Sequence, residues 1–167
     1  MKMNSLHDVY IHSLKDLYSA ERQLVQALPK MARAAQNEQL RQSFERHLQE
    51  TEQQAQRLEQ ILTQAGQSAG GVKCKGMEGL IEEGSELLQE EPSPVLDAAL
   101  IAASQKIEHY EISGYGTAAT WAEMLGEDQA LRLLKQSISE EENTDQLLTQ
   151  LAESEVNQQA AGFGQRA

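Results

Sequence analysis

The sequence predicts an all-α fold: four long helices arranged as two antiparallel hairpins with a long crossover between them. Three observations carry this. Gln, Glu, Leu and Ala dominate the 167 residues and aromatics are only 4%, a mixture that favours helix and gives a sheet little to pack. Apolar residues recur every three to four positions along four long segments. The links between those segments run short, long, short. A chain of this length fits one domain and can bury a sizeable core.

The first helix is expected over about Ser5 to Ala35, with Ser5 and Asp8 spaced as an N-terminal cap. The second covers about Glu38 to Ala65, and Gly66 stops it. The third begins after Pro92-Ser93-Pro94 and runs to Leu125 before Gly126; the fourth runs from near Asp128 to Val156. Gln36-Asn37 and Gly126 leave room only for tight turns, so helices one and two, and three and four, pair antiparallel. The crossover, residues 66–94, opens with Gly70-Gly71 and then reads Met77, Leu80, Ile81, Gly84, Leu87, Leu88, a short amphipathic helix. Two hairpins joined in this way make the ferritin-like arrangement. Residues 1–156 form this domain, and 157–167, polar with Gly162 and Gly164, read as a flexible tail.

Charge and apolar content narrow the function classes. The net charge of −12, from 26 acidic against 14 basic residues, repels phosphate backbones and anionic lipid, so neither nucleic acid nor membrane is an expected partner. No apolar stretch is long enough to span a bilayer. Met1-Lys2-Met3-Asn4-Ser5 leads directly into helix without the apolar centre of a secretion signal, and a lone Cys builds no disulfide framework. A cytoplasmic location is expected.

The core-facing stripes carry acids where apolar residues belong. Helix one gives Leu14, Leu17, Glu21, Leu24, Leu28; helix three gives Ser104, Ile107, Glu111, Gly114, Ala118; helix four gives Leu134, Ile138, Glu141, Asp145, Leu148. Helix two has a polar middle, His47, Thr51 and Gln54, with Glu50 at its edge. Glu21 and Glu50 lie almost equally far from the first turn, and Glu111 and Glu141 equally far from the second, so all four share one depth. Unpaired carboxylates in a core cost several kcal/mol each. Divalent cations offset that cost, and carboxylates with an imidazole suit iron or manganese, with zinc ranked after them. His47 is one turn from Glu50, Asp145 one turn beyond Glu141, and Glu108 one turn before Glu111 but off the stripe centre. The candidate metal ligands are thus Glu21, His47, Glu50, Glu108, Glu111, Glu141 and Asp145. The competing reading makes these acids register devices, or carboxyls kept neutral or paired with cations, although few basic residues fall on these faces. Tyr18, Tyr110 and Tyr115 flank the level. Cys74, between Lys73 and Lys75, reads as a surface thiol with a lowered pKa.

The stretches Asp16-Leu17-Tyr18-Ser19-Ala20-Glu21, His47-Leu48-Gln49-Glu50-Thr51, Met77-Glu78-Gly79-Leu80-Ile81-Glu82-Glu83, Ile107-Glu108-His109-Tyr110-Glu111-Ile112 and Glu141-Glu142-Asn143-Thr144-Asp145 together resemble the YciE/YciF stress-protein family, with the YciE branch the nearer look. The resemblance covers nearly the whole chain except the tail. It implies membership of the ferritin-like superfamily, a bacterial cytoplasmic setting, a link to stress responses and a homodimer, with no settled enzymatic activity. Ferritin-like di-iron proteins carry Glu-x-x-His on two helices. Here those positions read Glu50-Thr51-Glu52-Gln53 and Glu141-Glu142-Asn143-Thr144, with His47 preceding Glu50 instead. One ion, two or none stay open, as does a metal-free helical interaction protein without catalysis. If catalytic, the chemistry expected is that of reduced metal ions with peroxide or oxygen.

Overall fold

The computed structural model describes residues 3–164; Met1, Lys2 and residues 165–167 of the expected tail lie outside the described residues. Four long helices form the bundle: α1 (Leu6–Ala34), α2 (Glu38–Gln64), α4 (Pro94–Leu125) and α5 (Asp128–Leu151), with α3 (Lys75–Leu87) in the crossover. Each start follows from local chemistry. Ser5 Oγ accepts from the Asp8 amide while Asp8 accepts from the Asn4 amide, a reciprocal cap. The side chains of Asn37 and Ser93 cap α2 and α4 by accepting from the Leu40 and Leu96 amides, and Pro94 occupies the first turn of α4, where no amide is needed. Gly126, at φ +75°, ends α4 in a left-handed turn that a side chain would resist.

Helices α1 and α2 pair, as do α4 and α5, and the two hairpins meet through α1 with α4 and α2 with α5. The crossover helix lies on α4 and α1, with Met77 fully enclosed and Leu80, Ile81, Leu87 and Leu88 packed against the core. This is the helix expected from Met77 to Leu88. Asp97 in α4 accepts from the backbone amides of Gln36 (2.8 Å) and Asn37 (2.9 Å), which ties the first turn to the second hairpin. Beyond α5 a π-helical turn, Ala152–Val156, buries Val156 and accepts a bond at Glu155 from Asn37 Nδ2. The chain then stays helical through α6 (Asn157–Gly162), where a tail was expected, though none of those six residues is buried.

Two apolar clusters fill the bundle. One gathers Leu24, Leu28, Leu40, Phe44, Leu100 and Leu148; the other gathers Tyr10, Leu14, Leu17, Leu58, Leu62 and Leu134. Burying each such side chain contributes about 1.5–3 kcal/mol. Where the two clusters meet on every long helix stand buried polar residues: Glu21 on α1; His47, Thr51 and Gln54 on α2; Glu108 and Glu111 on α4; Ser137, Glu141 and Thr144 on α5. Gly114 lets α1 and α4 close up beside this level, since a Cβ there would stand 2.8 Å from Leu17 Cδ2.

Cys74 corrects an expectation. It is fully buried, its Sγ caps α3 by accepting from the Met77 amide (3.4 Å), and it lies 2.9 Å from the Tyr110 hydroxyl, which donates to Asp16. Burial, with the charge of Asp16 added, pushes its thiol pKa up despite the Tyr110 and Met77 hydrogen bonds that pull it down.

Candidate metal centre

His47, Glu108, Glu111 and Glu141 converge in the polar level. Each offers one ligand atom, and those atoms all lie within 4.8 Å of one another, with every residue buried. His47 Nε2 is 3.3 Å from Glu108 Oε1 and 3.9 Å from Glu141 Oε2. Neither approach is aligned as a hydrogen bond, and both ring nitrogens are without a partner. Both oxygens of Glu111, Oε2 of Glu108 and Oε2 of Glu141 are equally unpartnered. No Lys or Arg is among the fully buried described residues; Arg57 reaches the level's edge at Ser137 (3.2 Å) but pairs with Glu140 and with none of the four.

The remaining oxygens are held from outside. Ser104, one turn before Glu108, donates to its Oε1 at 3.0 Å. Gln54 Nε2 donates to Glu141 Oε1. The Tyr115 hydroxyl, one turn after Glu111, donates to Glu21 Oε1, and Glu21 Oε2 is unpartnered. Burial raises the carboxyl pKa of Glu21, Glu108 and Glu111 well above the ordinary value, and their mutual repulsion with Glu141 adds to it. Burial, then the charges of Glu21 and Glu111, pushes Tyr115 up as well.

The seven sequence-predicted residues thus divide. Glu21, His47, Glu108, Glu111 and Glu141 share the buried level, with Glu21 beside Glu111 but outside the tight set of four. Glu108 is fully enclosed despite its distance from the expected stripe centre. Glu50 stands half-buried at the rim, 3.9 Å from His47 Nδ1 and bonded by Thr144 at 3.4 Å. Asp145 is also partly exposed and turns to Gln105 (3.0 Å) and His109 (3.4 Å). Helix α2 therefore aims His47, Thr51 and Gln54 inward, and α5 aims Thr144 where Asp145 was expected. Ser104 and Gln54 were in the stripes, but only their bonds to acids give them a role. Tyr115 is fully buried, not an edge aromatic.

Residues 5–161 match the family described as domain of unknown function DUF892. The chain belongs to this family. Among its relatives is protein YciF of Escherichia coli (strain K12), 51% identical over 162 residues, which span 96% of this chain and 98% of YciF. The crystal structure of that E. coli stress protein superposes with a TM-score of 0.88 over 93% of this chain and 99% of its own. YcfI from Rhodopseudomonas palustris is 41% identical, with a TM-score of 0.85 over 89% of this chain and 95% of YcfI. The family relationship is therefore carried by sequence and fold together; the nearer look to the YciE branch rests on the motifs alone.

Proposed function

We propose that this DUF892 member is a ferritin-like stress protein whose bundle centre holds a divalent metal ion through His47, Glu108, Glu111 and Glu141. The observation that carries the reading is the set of buried, unpartnered ligand atoms converging from three helices with no protein cation among them. The donor set of one imidazole and three carboxylates fits iron or manganese, and zinc after them. Glu21, beside Glu111, would join if a second ion binds, with Glu50 at the rim and Asp145 outside it as its reserve. Iron or manganese held here would supply redox chemistry toward peroxide or oxygen. The stress association of YciF supports the setting. A cytoplasmic homodimer that engages neither nucleic acid nor membrane is the assembly in keeping with the family resemblance and the charge of −12.

Elemental analysis of protein purified without chelator tests this directly. Fe(II) or Mn(II) should bind at one equivalent, or two if Glu21 completes a second position, and raise the melting temperature because the ion binds only the native state. Glu111→Ala should abolish uptake. A wild type that holds no ion and melts unchanged with added metal sinks the proposal.

A second reading has its own support. Glu21, Glu108 and Glu141 each already accept a hydrogen bond, and burial favours the neutral form of Glu21 and Glu108. In that reading the level is a metal-free polar core of a helical interaction protein, in line with YcfI, which is described only provisionally as a structural protein. Added metal would then leave the melt unchanged, and Glu108→Ala, which takes the acceptor from Ser104, would reduce stability.

A further inference from the structure

One fully buried polar side chain at the centre has no ligand role. Gln54 is enclosed on α2, directly before the apolar Leu58 and Ile61 of the same face. A leucine there would extend that stripe, whereas the amide costs free energy, because its Oε1 is buried without a partner. What the amide does make is specific. Its Nε2 donates to Glu141 Oε1 and, at 3.1 Å, to Glu140 Oε2. Glu140 is clamped in turn by Arg57, through Nη1 at 2.6 Å and Nη2 at 2.8 Å, on the half-buried flank between α2 and α5. The other oxygen of Glu141, Oε2, has no partner and lies 3.9 Å from His47 Nε2.

We propose that Gln54 is the positioning residue of the centre: it holds Glu141 by one oxygen so that the other stays turned toward His47, and the Arg57–Glu140 pair holds Gln54. The inference rests on the metal reading above. Gln54 touches no ion; it fixes the rotamer of a carboxylate that would otherwise swing among several, and such outer partners set ligand orientation and affinity. The arrangement also links a partly buried ion pair on the flank to the buried centre through a single amide.

The test compares wild type, Gln54→Met, Glu140→Gln and Arg57→Met by titration calorimetry with Mn(II), and by the visible spectrum of bound Co(II), which follows coordination geometry. Gln54→Met keeps the side-chain length but lacks the donor, and should weaken Mn(II) binding by roughly 10–100-fold with unchanged stoichiometry and an altered Co(II) spectrum. Glu140→Gln keeps an acceptor for the Gln54 amide but gives up half of the Arg57 fork, and should weaken binding clearly less than Gln54→Met does. Arg57→Met takes the two-pronged clamp from Glu140, leaving it only the exposed Gln136 amide, and should weaken binding in the same direction as Gln54→Met, which keeps the test open if Gln54→Met does not fold. Wild-type affinity and spectrum in Gln54→Met, or in Arg57→Met where that stands in for it, overturns the inference and leaves the metal reading intact. So does a loss in Glu140→Gln as deep as in Gln54→Met, because charge and not positioning would then be at work. A wild type that takes up neither Mn(II) nor Co(II) removes the metal reading and this inference with it.

Discussion

The apolar layer around Leu24, Leu100 and Leu148 and the polar level around Glu21, Glu111 and Glu141 are built by the same helices, and both are almost completely buried. Their energetics are opposite. In the first, every side chain that leaves water adds to stability. In the second, burial works against the charged form of three glutamates, and several ligand atoms have no partner at all. The chain tolerates the second only because the first is duplicated on either side of it. A layer that costs stability and lacks internal cations marks where the fold serves something other than its own persistence.

The contrast can be broken most severely from the apolar side. Leu100→Ala should cost about 2–5 kcal/mol, read as a lowered midpoint in urea unfolding with an unchanged slope. A loss below about 1 kcal/mol would mean the layer collapses around the missing atoms and is not the close-packed support described here.

The next largest effect is on pH dependence. Glu21, Glu108 and Glu111 have carboxyl pKa values raised in the folded state, above the unfolded value of about 4.3. Their contribution to stability is therefore fully present below about pH 4.3 and is lost as pH rises through the folded values. Metal-stripped wild type should lose stability between mildly acid and mildly alkaline pH relative to a variant with these three glutamates changed to Gln. Metal loading should reverse the slope, because the ligands must be deprotonated to bind. Parallel profiles of the stripped proteins would remove the electrostatic contrast between the layers.

The smallest effect sharpens the comparison most. Glu111→Ala in stripped protein should change stability by less than about 1 kcal/mol, or raise it, despite deleting a fully buried side chain. Burial and the charges of Glu21, Glu141 and Glu108 all work against an ionised Glu111, and its removal relieves them. Thermal melts of stripped protein measure this, and a loss comparable to Leu100→Ala would erase the difference between the two layers.

Periodicity, caps and turn residues in the sequence were enough for the helices, their pairing and the crossover helix, because each rests on contacts within a few residues or on a loop too short to allow another path. The depth shared by Glu21, Glu111 and Glu141 was legible for the same reason: rise per residue is constant, so equal distances from a turn mean equal heights. Which side of a helix faces the centre was less legible. Successive residues differ by about 100° around the axis, and a strict seven-residue stripe drifts from a straight helix, so its edges are decided by the neighbours. Helix α4 packs on α1, α3 and α5 at once, and its buried face widened to take in Glu108 and Tyr115. On α5 the neighbours left Asp145 at the rim and turned Thr144 inward, whereas α2 kept the inward His47, Thr51 and Gln54 and the edge Glu50 that its stripe predicted. Cys74 shows the same limit in the crossover, where local lysines suggested a surface thiol and packing of α3 on α1 and α4 enclosed it. Sequence by itself determined the elements and their heights, which are local quantities; only the tertiary structure decided rotation, burial and partners, which depend on surfaces far apart in the chain.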